Sequence, residues 1–132
     1  MSDLDAFDDL DRALVARGQP LYQQSCAACH GASGEGQGGD WKVRDADGAL
    51  PPPPHDSSGH TWHHADGLLL RIVVEGCELY SVGDTPCYMP AFGDSLREPE
   101  IRAILEYIKS FWDPEERAIQ AEASLADPFP SP

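Results

Sequence analysis

Cys26-Ala27-Ala28-Cys29-His30 confines two thiols and an imidazole to five consecutive residues. Two residues between the thiols let them reach adjacent pyrrole rings of one tetrapyrrole, each adding to a vinyl group. The imidazole of the next residue then stands beneath the metal. By chance, a chain of this composition would hold ~0.004 copies of the pattern. A redox dithiol of the thioredoxin kind demands a βαβ setting, and this chain offers only helix and loop signals. The motif therefore predicts one covalent haem c, attached through Cys26 and Cys29, with His30 on the iron.

The 132 residues suit one domain. Residues 1–9 read as an acidic flexible linker, 10–112 as the haem domain and 113–132 as a C-terminal extension. Leu10, Leu14, Leu21 and Tyr22 form a helical stripe over Leu10 to Ser25 that Pro20 should kink or split. Gly31 to Gly39 is loop, and Leu50 to His60, with four consecutive prolines, is extended. A helix is expected from Ala65 to Glu75, with Asp66 in its first turn and Gly76 as its stop. Cys77 to Gly93 reads as loop. Ile101, Ile104, Leu105, Ile108 and Phe111 give Glu98 to Trp112 a strong apolar stripe, with Pro99 and Glu100 fitting the first turn. Glu115 to Leu125 is a candidate short helix. There is no strand pattern.

Nine Lys and Arg face 23 Asp and Glu, a net charge of −14. That balance argues against binding nucleic acid or anionic lipid. Acids crowd both termini, where they serve solubility. Acids nearer a haem edge would steer a partner with a basic docking face. No apolar run approaches the roughly 20 residues of a membrane span, and Met1 to Leu10 lacks the basic start and apolar stretch of an export signal. A signal or tether is therefore expected upstream of this chain. A monomer is expected.

In several places the chain resembles the class I c-type cytochromes. The matching residues are Gly18 and Tyr22 in the first helix, Cys26 to Gly31, Gly76, Met89-Pro90, and Ile101 to Ile108 with Tyr107. They span roughly Leu14 to Phe111. The resemblance implies an all-α fold of about three to five helices around one haem. First and last helices would cross beside it, Gly18 permitting the approach and Tyr22, Leu105 and Tyr107 making contacts. It also implies that a proline carbonyl accepts from the His30 ring and fixes its tautomer. Pro52, Pro53 and Pro54 are candidates; Pro54 is taken as the site residue.

The second axial ligand is expected to be Met89. Of the chain's two methionines, Met1 is terminal, whereas Met89 lies in a proline-bracketed loop where the resembled family places its sulfur. A packing role for Met89 is the alternative. His55, His60, His63 and His64 are rivals, outside the expected position. Thioether ligation favours ferrous iron and raises the potential above that of bis-imidazole haem. With both axial sites filled, the expectation is an electron carrier working by outer-sphere transfer between redox proteins, and not an enzyme. An enzyme or gas-sensor reading would require Met89 to detach.

Two features go beyond the family pattern. Cys77 and Cys87 remain after haem attachment, and haem is attached outside the cytoplasm, where disulfides survive. A periplasmic or other extracytoplasmic location is therefore expected. A Cys77–Cys87 bridge would add about 3 kcal/mol on the chain-entropy model and hold the Met89 loop. Unrelated thiols or another metal site are the alternatives. In the second feature, His60, His63 and His64 would share a face if helical and could bind copper or zinc, making a copper-handling accessory haem protein the competing function. Trp62, in the same block, is expected to pack on the haem with its indole donating to a propionate.

Overall fold

Asp11 starts the first helix. Its carboxylate accepts from the amides of Ala13 and Leu14 at 3.0 and 3.2 Å, two donors that a first turn leaves without an intrahelical partner. Helix α1 then runs over Arg12–Ser25. The computed structural model describes residues 10–37, 42–49, 51–77 and 89–130; the expected linker 1–9 lies outside them. Among the described residues there are five α-helices, one 3-10 turn and no strand. After α1 come α2 (Ala27–His30), the 3-10 turn Thr61–His63, α3 (Asp66–Glu75), α4 (Glu98–Lys109) and α5 (Pro114–Ser124). None of these helices is long and apolar enough to cross a membrane.

Pro20 does not split α1. It removes one internal donor, yet the helix continues through it to Ser25. Packing on both sides of the proline explains this. Two residues before it, Gly18 lies against the α4 backbone, where a Cβ would overlap the Ala103 carbonyl. Two residues after it, Tyr22 is fully buried. The N- and C-terminal helices of the haem domain therefore cross with their backbones in contact.

Helix α4 supplies most of the core. The Arg97 amide donates to the Glu100 carboxylate at 2.9 Å, closing its first turn. Ile101, Ile104, Leu105 and Ile108 recur at helical spacing and are buried. They pack with Tyr22, Leu69, Leu70, Val73 and Trp112. Each large apolar side chain buried there contributes on the order of 2 kcal/mol.

The C-terminal extension belongs to the fold. Asp113 and Glu116 cap α5 reciprocally, at 2.8 and 3.0 Å. The face that α5 buries is polar: Arg117, Gln120 and Ser124. Gln120 donates to the Asp66 carboxylate at 2.7 Å and to the His64 carbonyl at 3.1 Å. Ala65 gives α3 no side-chain cap. Instead the Asp66 amide donates to the Ser124 hydroxyl at 3.0 Å, and the Gly67 amide to the Asp127 carbonyl at 2.9 Å. Phe129 then packs on the core, with the Arg102 guanidinium 4.6 Å above its ring.

Beside this junction Lys109 pairs with Asp66 at 3.0 Å and more loosely with Glu106 at 3.7 Å. Burial raises the Glu106 carboxyl above its ordinary value, outweighing the pull of Lys109. A carboxyl raised on folding costs stability as pH climbs from the unfolded carboxylate value through the folded one. Glu106→Gln should therefore gain stability relative to the parent across that window. Denaturant midpoints below and well above the ordinary glutamate pKa of about 4.3 check this. An advantage that does not grow with pH would refute it.

Candidate haem centre

The Cys26 amide donates to the Tyr22 carbonyl at 2.8 Å, and the next turn starts from the Cys26 carbonyl. It accepts from Cys29 at 3.2 Å and from His30 at 2.9 Å. The motif is thereby wound into the single turn α2, and Gly31, at φ 90°, ends it. Residues spaced three and four apart on such a turn share a side, so Cys26 neighbours both Cys29 and His30. Both cysteines carry free thiols, Cys29 exposed and Cys26 partly buried. Burial, with Cys29 adding a smaller push, raises the Cys26 thiol to about 11, so it is neutral.

His30 is buried, and its Nδ1 lies 2.7 Å from the Pro53 carbonyl. A carbonyl only accepts, so Nδ1 carries the proton and Nε2 keeps its lone pair. Burial lowers the His30 pKa against the opposing pull of Pro53. The ring is thus a neutral imidazole with one oriented nitrogen available, the form a metal requires. Two free thiols in the same short turn as that ring fit a covalently attached haem.

The supporting carbonyl belongs to Pro53, which corrects the choice of Pro54. Pro54 is buried one residue on, and its carbonyl faces the Thr61 hydroxyl at 3.5 Å and abuts Gly59. The two carbonyls have different partners, and the one that meets the ring is that of Pro53.

The loop after Pro53 is tied down on both sides. The amides of His55 and Asp56 donate to the Gly34 carbonyl at 2.7 and 3.0 Å. The indole N–H of Trp112 donates to the His55 carbonyl at 2.7 Å. The His55 ring lies over the His30 ring, centroids 4.0 Å apart and planes tilted by 33°. Its Nδ1 shares a 2.7 Å hydrogen bond with the Thr61 hydroxyl. Sequence reasoning missed both residues in this role. Trp112 was findable, because it stands four residues after Ile108, continuing the spacing of the α4 stripe just past the helix end.

Trp62 is partly buried against the core. Its indole N–H donates to the Ser57 carbonyl at 3.3 Å, and its ring stacks on His63 with centroids 3.8 Å apart. Among the described residues that donor's partner lies within its own loop. Tyr107 stacks at a tilt on Tyr22, centroids 5.4 Å apart, and Phe111 completes the aromatic cluster. The Tyr22 hydroxyl donates to the Gly31 carbonyl at 2.7 Å, locking α1 to the end of the motif.

Met89 packs on the core from the opposite end of α3. Its carbonyl accepts from the Cys77 amide at 3.1 Å. Just beyond it, Phe92 and Gly93 donate to the Val73 and Val74 carbonyls at 2.9 and 3.1 Å. Gly76, at φ 56°, makes room, since a Cβ there would overlap the Pro90 carbonyl. Cys87 lies outside the described residues. His60 and His63 meet edge-on at 5.2 Å, and no group of three or more His, Cys, Asp or Glu among the described residues forms a metal site.

No curated protein and no solved structure matches the chain. The model of one family, cytochrome c, matches residues 15–112, from within α1 to Trp112. The geometry above and this match lead to one conclusion: the chain belongs to the cytochrome c family, an electron-carrying haem protein whose Cys26 and Cys29 fit the covalent attachment of haem c.

Proposed function

We propose that this protein carries single electrons on a low-spin haem ligated by His30 and Met89, with no open coordination position. The observation that carries the reading is the backbone clamp on Met89. The residue is held at the C-terminal end of α3 through its own carbonyl and through Phe92 and Gly93. Such a clamp keeps a soft thioether in one place. His30 is oriented by Pro53 with Nε2 available. His55 is a poor rival for the second position. Two imidazoles on opposite faces of one iron meet end-on, whereas His55 lies face to face with His30.

When bound, the haem supplies a ferric–ferrous couple. The chain's residues bind it, orient His30 and keep Met89 in reach. A neutral sulfur ligand favours the ferrous form, so a fairly positive potential follows. Transfer is then outer-sphere, between redox proteins, with a basic docking face suited to a chain of net charge −14. An extracytoplasmic location and a Cys77–Cys87 bridge belong to the same reading. In support of the bridge, Cys26 and Cys29 are free thiols and Cys77 is not.

The test is Met89→Ala. In the oxidised parent a Met–iron charge-transfer band is expected, and the ferrous form should not bind carbon monoxide. The variant should lose the band, bind carbon monoxide and show a lower potential. A parent without the band sinks the ligation. Thiol titration of the denatured protein tests the bridge, which fails if Cys77 and Cys87 both react.

A further inference from the structure

His55 packs against His30, and nothing in the attachment motif explains it. A wall beside an axial imidazole needs only apolar bulk. Here it is a second imidazole. Placing a histidine there has a desolvation cost that an aliphatic residue would avoid.

The geometry shows what the polar ring adds. The Pro53 carbonyl fixes one direction in the His30 plane, that of the Nδ1–H bond. One hydrogen bond leaves the ring free to turn about that direction. A ring packed over its face restricts this freedom, and His55 provides one, its centroid 4.0 Å away and its plane tilted by 33°. His55 is itself held at three points. Its amide is bonded to Gly34, its carbonyl to Trp112, and its Nδ1 to the Thr61 hydroxyl at 2.7 Å. Thr61 is buried and begins the 3-10 turn, so the hydroxyl stands on a fixed element.

We propose that His55 is a positioning residue: pinned by Thr61, its ring sets the rotational angle of the axial His30 imidazole. The proposal rests on the His30 half of the ligation reading and is independent of Met89. The angle matters because an imidazole plane sets which iron d orbital it overlaps. That overlap determines the g values of low-spin ferric haem and contributes to the potential. Neighbours beyond the ligands commonly tune a metal site in this way.

The experiment is electron paramagnetic resonance of the ferric holoprotein in the parent, His55→Leu, Thr61→Val and Thr61→Ser. The parent is expected to give one narrow low-spin signal. His55→Leu should shift or broaden the largest g value beyond the parent linewidth. Thr61→Val should do so with His55 still present, and Thr61→Ser, which keeps the hydroxyl, should restore the parent signal. A general loss of stability would lower the melting temperature without moving the g values. A parent signal in either His55→Leu or Thr61→Val overturns the proposal. If His55→Leu does not take up haem, the Thr61 pair decides alone. The Met–iron band, recorded on the same samples, should persist throughout. Its absence from the parent would refute Met89 ligation and leave the His55 result standing.

Discussion

Gly18→Ala should destabilise the protein by about 3 kcal/mol, mainly by forcing α1 and α4 apart. Alanine ordinarily favours a helix over glycine by about 1 kcal/mol, so local propensity predicts a gain. Tertiary geometry decides the sign. The added methyl would overlap the Ala103 carbonyl, with the Ile104 amide nitrogen 3.0 Å away. Both are backbone atoms inside a helix and cannot swing aside as a side chain could. Separation of the helices would also loosen Tyr22 and Ile104, two of the most deeply buried side chains. The fall in melting temperature should be on the order of 10 °C, with a smaller fraction of chains carrying haem. Unchanged thermal unfolding would mean that the helices do not cross at Gly18.

Gln120→Ala carries the next largest expected effect, about 3 kcal/mol. Truncation leaves the His64 carbonyl without its amide donor, removes one of the donors to Asp66 and opens a cavity under α5. The Asp66 carboxylate keeps Lys109 at 3.0 Å, so the loss stops short of an unpaired charge. Immediately before Gln120 in sequence, Ile119 is 45% exposed, and Ile119→Ala should change stability by less than about 0.5 kcal/mol. Urea unfolding of the two variants makes the contrast. Equal effects, or a larger one at Ile119, would show that α5 is held by its apolar residues instead.

That contrast also shows what the sequence hides. Helix α4 was legible because Ile101, Ile104, Leu105 and Ile108 repeat with the helical period. The motif from Cys26 to His30 was legible because its chemistry needs those residues at that spacing. The docking of α5 was not, because its buried face is Arg117, Gln120 and Ser124 while Leu125 is 83% exposed. Hydropathy reads such a helix inside out. The choice of Pro53 over Pro54 depends on where a backbone carbonyl points, which no side chain encodes. Pro20 misled because helix propensity is local, and the packing of Gly18 and Tyr22 is not. The contact made by Trp112 was hidden for another reason: it reaches the His55 loop from 57 residues away.

The way α3 is capped has a consequence for how the molecule opens. Its first amides are satisfied by Ser124 and Asp127, which follow it by more than fifty residues. Its last carbonyls hold the strip that carries Met89. The start of α3 and the tail therefore form one cooperative unit, which opens together at a shared free-energy cost. The carbonyls that grip the Met89 strip lie at the far end of the same ten-residue helix. Fraying that begins in the tail must travel through about two turns before it reaches them.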